Sequence, residues 1–232
     1  MVRVLSHVKQ LVVPRGRAPR SIRTGPFRGL RMELDLTTQS QLYIGTFERE
    51  VYRWLERFSA EIRSAIDIGS REGEYTLYFL AKTSADRVIA FEPEIAIHQR
   101  FMSNLELNNL GHDPRLRLVS SFVGARNGDN ECTLDSLVGS FSTPCLIKID
   151  VEGGEASILQ GAQRLLELGH VRWIIETHSR DLEEQCVRIL RAANYQTRII
   201  PNAWWRGVLP ELRVSEVIRH NRWLAAARNT NL

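Results

Sequence analysis

Ser64-Ala-Ile-Asp-Ile-Gly-Ser-Arg-Glu-Gly73 is the stretch that decides the fold. Its first five residues form a short, mainly apolar run, ended by a turn that holds Gly69 and Gly73. Tyr75–Ala81 then follows helical spacing. A strand, a glycine turn and a helix in succession open a β-α-β unit, whose strands run parallel.

The same alternation continues toward the carboxyl end. Arg87–Phe91 reads as a second strand with a helix over roughly 95–108, and Leu116–Val119 as a third strand. Leu146–Asp150 is a fourth, followed by a helix near 155–168, and Val171–Ile175 a fifth, followed by a helix near 181–193. Gln196–Ile200 is a sixth, and the alternating stretch Leu212–Ile218 is expected to add a late strand. Upstream, Phe47, Val51, Trp54, Leu55 and Phe58 stand at helical spacing within 42–60. Apolar strands between amphipathic helices imply a doubly wound, Rossmann-like α/β fold, with a mostly parallel seven-stranded sheet and helices on both faces. Such sheets bind ligands beyond the carboxyl ends of their strands.

The 232 residues, 43% of them hydrophobic, suffice for one domain with a substantial core. No apolar run approaches the roughly 18–20 residues that span a bilayer, so no transmembrane segment is expected. The net charge of +4 is unevenly placed. Residues 1–32 hold eight Lys and Arg and no acid, whereas the rest holds 23 bases and 27 acids. The chain is therefore divided into a basic arm, 1–24, and a domain, 25–232. The arm is expected to be solvated and dispensable for folding, although its charge would also suit an acidic surface. Cys132, Cys145 and Cys186 are far apart in sequence, which argues against a disulfide framework and for a cytoplasmic setting. Composition does not settle a homodimer.

Chemistry is sought just after each strand. Asp67, Gly69, Ser70 and Gly73 follow the first strand, and Glu92 follows the second. An acid at that distance beyond the glycines can accept hydrogen bonds from both ribose hydroxyls of an adenosine-containing cofactor. The turn reads G-x-x-x-G, not the G-x-G-x-x-G of a dinucleotide site, and Asp67 and Glu72 would repel a pyrophosphate. A cationic ligand such as S-adenosylmethionine (SAM) suits an acidic turn better. After the fourth strand come Asp150, Glu152 and Glu155, and after the fifth Glu176 and His178. With these two strands adjacent, Asp150, Glu152, Glu176 and His178 converge on one cleft. The simpler explanation for Glu152 and Glu155 is that they complement a helix amino terminus.

These residues resemble the FkbM family of SAM-dependent methyltransferases over roughly residues 25–225. The resemblance rests on Gly45–Glu48, Ile66–Gly73 with Tyr75-Thr76, Ala90–Pro93, Asn104–Asn108, Thr133–Leu137, Ile147–Gly153 with Glu155, Trp173–His178 and Asn221–Leu224. The segment Lys148-Ile-Asp-Val-Glu-Gly153 is the most specific of them. The resemblance implies a class I methyltransferase fold, SAM as methyl donor and O-methylation of a sugar, glycan or natural-product hydroxyl. It implies that Asp67, Gly69, Ser70 and Gly73 line the methionine part of SAM and that Glu92 holds the ribose. Arg71 and Glu72 depart from the small and apolar residues usual in the family, and are expected to point outward.

A hydroxyl is a poor nucleophile at neutral pH, so its proton must be drawn off by a base or a metal. Asp150 and His178, with Glu152 beside them, are the candidate catalytic groups, and a side-chain base is preferred to Mg²⁺ or Ca²⁺ on the carboxylates. The alternative function is a module that holds SAM or a partner without turnover. A nucleic-acid substrate is disfavoured, because Asp-Val-Glu-Gly stands where base-modifying enzymes commonly carry an Asn/Asp-Pro-Pro-aromatic element to stack a flipped base.

Overall fold

The computed structural model describes residues 14–203 and 221–228. Described strands and helices, in chain order, are β1 (Arg17–Ser21), β2 (Arg31–Asp35), α1 (Ser40–Ile44), α2 (Tyr52–Ser59), β3 (Ser64–Ile68), α3 (Glu74–Lys82), β4 (Arg87–Phe91), α4 (Ile95–Glu106) and β5 (Leu116–Val119). They continue with β6 (Phe122–Val123), β7 (Glu131–Cys132), β8 (Cys145–Ile149), α5 (Glu155–Gln160), α6 (Gln163–Leu168), β9 (Val171–Thr177), α7 (Arg180–Ala192), β10 (Gln196–Ile200) and β11 (Arg222–Ala227).

Seven strands form the central sheet in the order β10-β11-β9-β8-β3-β4-β5. The five from β9 to β5 are parallel, and β11 runs antiparallel between β10 and β9. Strands buried on both faces separate two cores. Ala65 and Leu146 face one core, with Trp54, Phe58 and Phe79. Ile66, Ile68, Ile147 and Ile149 face the other, with Leu159, Leu165 and Leu190. The doubly wound architecture is as the sequence predicts. The seventh described strand is Arg222–Ala227, while the expected strand Leu212–Ile218 lies outside the described residues.

Two expected helices are interrupted. The 42–60 pattern is divided between α1 and α2, with Gly45 in the left-handed region at φ 78° where α1 ends. The 155–168 pattern is divided between α5 and α6. There a Cβ on Gly161 would lie 2.0 Å from the carbonyl oxygen of Gly124, so the chains meet too closely for a side chain.

The amino-terminal region needs a correction at its inner end. Arg17–Ser21, inside the expected arm, pairs antiparallel with β2, and Ile22 is buried. Asn104 in the last turn of α4 and Asn108 in the turn just beyond it serve the other edge of β2. Their side-chain oxygens accept from the Glu33 and Arg31 backbone N–H groups at 2.8 and 2.9 Å. Two asparagines one helical turn apart thus satisfy an edge strand that would otherwise be bare. Among the described residues, no helix is long and apolar enough to cross a membrane.

Candidate functional site

A cleft of about 680 Å³ opens at the carboxyl ends of β3, β4, β8 and β9. Gly69 makes the junction possible. It sits at φ 77°, and a Cβ there would fall 2.0 Å from the carbonyl oxygen of Asp150. Only glycine lets the ends of β3 and β8 come this close without strain. Gly69, Glu92, Asp150, Glu152, Glu176 and His178 all line the cleft.

Glu92 is 5% exposed and is held on both oxygens. Oε2 accepts from the Arg71 N–H and Oε1 from the Glu94 N–H, each at 2.9 Å. The carboxylate is fixed in place with lone pairs to spare, because each oxygen can accept twice.

Asp67, Ser70 and Gly73 are not among the lining residues. Asp67 has no exposed surface, accepts from Thr76 Oγ1 at 2.7 Å and faces Lys148 Nζ at 3.4 Å. It sits beneath the turn and braces it. Ser70 is also buried, and Gly73 is the residue from which α3 starts. Glu72 does not point outward either. Its carboxylate bonds Arg17 at 2.6 Å, Arg100 at 3.0 Å and Gln39 at 3.0 Å. Both acids expected to make the turn negative are therefore paired with cations.

The negative charge facing the cleft comes from other groups. Seven carboxylates line it, against one arginine, among the described residues. Glu48 and Glu74 belong to this set and escape a reading restricted to strand ends. Glu48 accepts from Tyr75 Oη at 2.6 Å. Burial pushes the Glu74 carboxyl up to about 7, although Lys148 pulls the other way.

At the β8 and β9 ends the expected cluster is assembled. His178 Nε2 lies 3.8 Å from Asp150 Oδ1 and 3.8 Å from Glu176 Oε2. Asp150 Oδ2 faces Lys148 Nζ at 3.4 Å. Burial would raise the Asp150 pKa, but the Lys148 charge, a hydrogen bond with Glu176 and His178 bring it below the usual carboxylate value. Burial would likewise lower His178, and the hydrogen bond to Glu155 with the charge of Asp150 raises it. Glu155, fully buried, accepts from the His178 backbone N–H at 3.1 Å and stands 2.7 Å from its Nδ1. Glu155 is thus more than a complement to the α5 terminus, because it aims the imidazole. Glu152 also lines the cleft, from an exposed position.

Residues 129–198 match the methyltransferase FkbM domain. No curated protein matches the sequence significantly. Among solved structures, the methyltransferase FkbM of Methylobacillus flagellatus KT superposes with a TM-score of 0.56 at 20% identity. The alignment covers 83% of this chain and 55% of that one, so this chain spans little more than half the length of that relative. A human methyltransferase 10 domain containing protein gives 0.51 at 14% identity, covering 88% of this chain and 90% of its own. Precorrin-6y C5,15-methyltransferase from Geobacter metallireducens gives 0.50 at 14%, covering 77% and 87%. These structural likenesses establish a Rossmann-like class I methyltransferase fold, and residues 129–198 of the chain are similar to the methyltransferase FkbM domain.

Proposed function

We propose that the protein is a SAM-dependent O-methyltransferase acting on a hydroxyl of a sugar, glycan or natural-product acceptor. The observation that carries this reading is the cleft itself, with seven carboxylates against one arginine among the described residues and a fixed Glu92 at its β4 end. That electrostatic field favours a ligand with a sulfonium and an ammonium group and opposes a pyrophosphate. Spare acceptor capacity on Glu92 suits a ribose diol. Bound SAM would supply an electrophilic methyl group.

The chain's own part is alignment and handling of the acceptor proton. Asp150, His178 and Glu176 form the end of the cleft where the acceptor hydroxyl is proposed to dock, with Glu152 at its edge. Lys148 and Glu155 hold Asp150 and His178 from behind, so neither needs to reorganise when the acceptor arrives. The proposed donor-side residues are Gly69 and Glu92 on the cleft wall, with Asp67, Ser70 and Gly73 shaping the turn beneath them.

The test is transfer of a labelled methyl group from SAM to a panel of hydroxyl acceptors. Wild-type protein should label at least one, and Asp150→Asn should lower turnover by about 10²–10⁴, the span of proton-handling groups. Unchanged turnover in Asp150→Asn would remove the cluster from the reaction. Bound SAM without transfer to any acceptor would favour a binding module.

A further inference from the structure

We infer that Asp150, Glu176 and His178 form a binding site for one divalent transition-metal cation. This inference rests on the proposed acceptor end of the cleft and names how that end would hold and polarise an oxygen ligand. One donor atom from each residue can be chosen so that all three lie within 4.8 Å of one another. The two His178 distances, 3.8 Å each, are too long for hydrogen bonds. Donors held about 2.0–2.2 Å from a tetrahedral centre stand roughly 3.4 Å apart, so the two 3.8 Å separations would need a few tenths of an ångström of movement to close around an ion.

Three further observations point to a cation rather than a chance meeting of polar groups. First, His178 is oriented from behind. Glu155 takes the Nδ1 side at 2.7 Å, which turns Nε2 toward both carboxylates. A buried carboxylate behind the imidazole is the arrangement that fixes the tautomer and basicity of a metal-bound histidine. Second, Asp150 Oδ1 and Glu176 Oε2 both lie 3.8 Å from the same His178 Nε2, so two acids converge on one imidazole nitrogen. Lys148 lies on the other oxygen of Asp150 and is also engaged by Asp67. Third, Asn221 is 9% exposed, borders the same cleft, and carries a buried Oδ1 with no hydrogen-bond partner. It immediately precedes Arg222, which pairs with Thr177, and so stands across the β9–β11 ladder from His178. An amide oxygen there would be the fourth donor of the proposed site.

The donor set also selects the kind of metal. Mg²⁺ and Ca²⁺ prefer oxygen ligands alone. An imidazole nitrogen with carboxylate and amide oxygens suits Mn²⁺, Fe²⁺, Co²⁺ or Zn²⁺ better. The open side of the site faces the cleft, leaving room for an acceptor oxygen on the metal.

The experiment uses the full chain, stripped with chelator and titrated with Mn²⁺ alone by calorimetry and electron paramagnetic resonance. One Mn²⁺ per chain should bind, and Mg²⁺ should bind at least about 10-fold more weakly. Asp150→Asn and Glu176→Gln should each weaken Mn²⁺ by at least about 10-fold, with melting curves to confirm that both variants fold. Glu155→Gln should weaken it by about 10–100-fold, as expected for a group behind a ligand. No stoichiometric Mn²⁺ binding, or binding unchanged in both Asp150→Asn and Glu176→Gln, would overturn the inference. SAM binding is measured separately on the same preparations. A metal-free protein that binds SAM loses only the metal site, whereas loss of SAM binding with the metal site intact defeats the proposed methyl donor.

Discussion

His178 Nδ1 stands 2.7 Å from Oε1 of Glu155, a carboxylate with no exposed surface. Because that carboxylate accepts, neutral His178 carries its proton on Nδ1 and presents Nε2 to Asp150 and Glu176. Nitrogen-15 NMR at a pH where His178 is neutral should show the Nδ1–H tautomer. Glu155→Gln should lower turnover by about 10–100-fold while SAM affinity changes little. An Nε2–H tautomer in the wild type would show that the imidazole is aimed otherwise.

Glu92 offers a separate test of the donor end. Its two oxygens are fixed by backbone N–H groups, so Glu92→Gln keeps the shape but not the charge. Glu92→Ala should weaken SAM by roughly 10–100-fold, since each charge-assisted hydrogen bond is worth about 1.5–3 kcal/mol. Glu92→Gln should fall between. Unchanged affinity in both would remove Glu92 from the cofactor site.

Glu74 should give a pH signature. Its folded pKa, raised to about 7 by burial, lies above the ordinary glutamate value of about 4.3. Between those values the folded chain holds a proton that the unfolded chain has lost. The contribution of Glu74 to stability therefore declines as pH rises from about 4.3 to 7 and is level above that. Glu74→Gln should remove this decline, so the variant gains on the wild type across that window. Parallel denaturation curves for the two proteins over pH 4–8 would contradict it.

Glu72 should behave in the opposite sense. Burial alone would raise its pKa, but hydrogen bonds from Arg17 and Gln39, the Arg17 charge and a hydrogen bond from Arg100 bring it below the ordinary value. A depressed carboxylate stabilises fully above its unfolded pKa and loses that contribution as pH falls through the folded one. Glu72→Gln should thus be less stable than wild type at pH 7, with the gap closing below about pH 4. Removing residues 1–24 should also lower the melting temperature, since it takes away β1, Ile22 and the Arg17 partner of Glu72. A truncated chain that melts with the wild type would restore the reading of the arm as dispensable.

The sheet could be read from the chain because its strands are short apolar runs buried on both faces, as Ala65 and Leu146 on one side and Ile66 and Ile147 on the other show. β11 was not read as a strand, because Ala225-Ala-Ala227 gives no alternation to detect. The breaks at Gly45 and Gly161 depend on tertiary approach, to Thr24 and to Gly124, which local periodicity does not carry. The acidic cluster was legible because parallel strands place their ends side by side. The partnerships of Asp67 with Lys148 and of Glu72 with Arg17 were not, because spacing alone does not reveal which acid has a cation over it. Glu48 escaped because it follows no strand of the central sheet, and Glu74 because it starts the helix beyond the β3 turn.

The central claim, a cleft built for SAM, is tested most directly by titrating the purified chain with SAM, with its demethylated product and with NAD in a calorimeter. The account predicts one site per chain for SAM and for the product, and no comparable binding of NAD. Binding of NAD without SAM would contradict it, as would the absence of any SAM binding by folded protein.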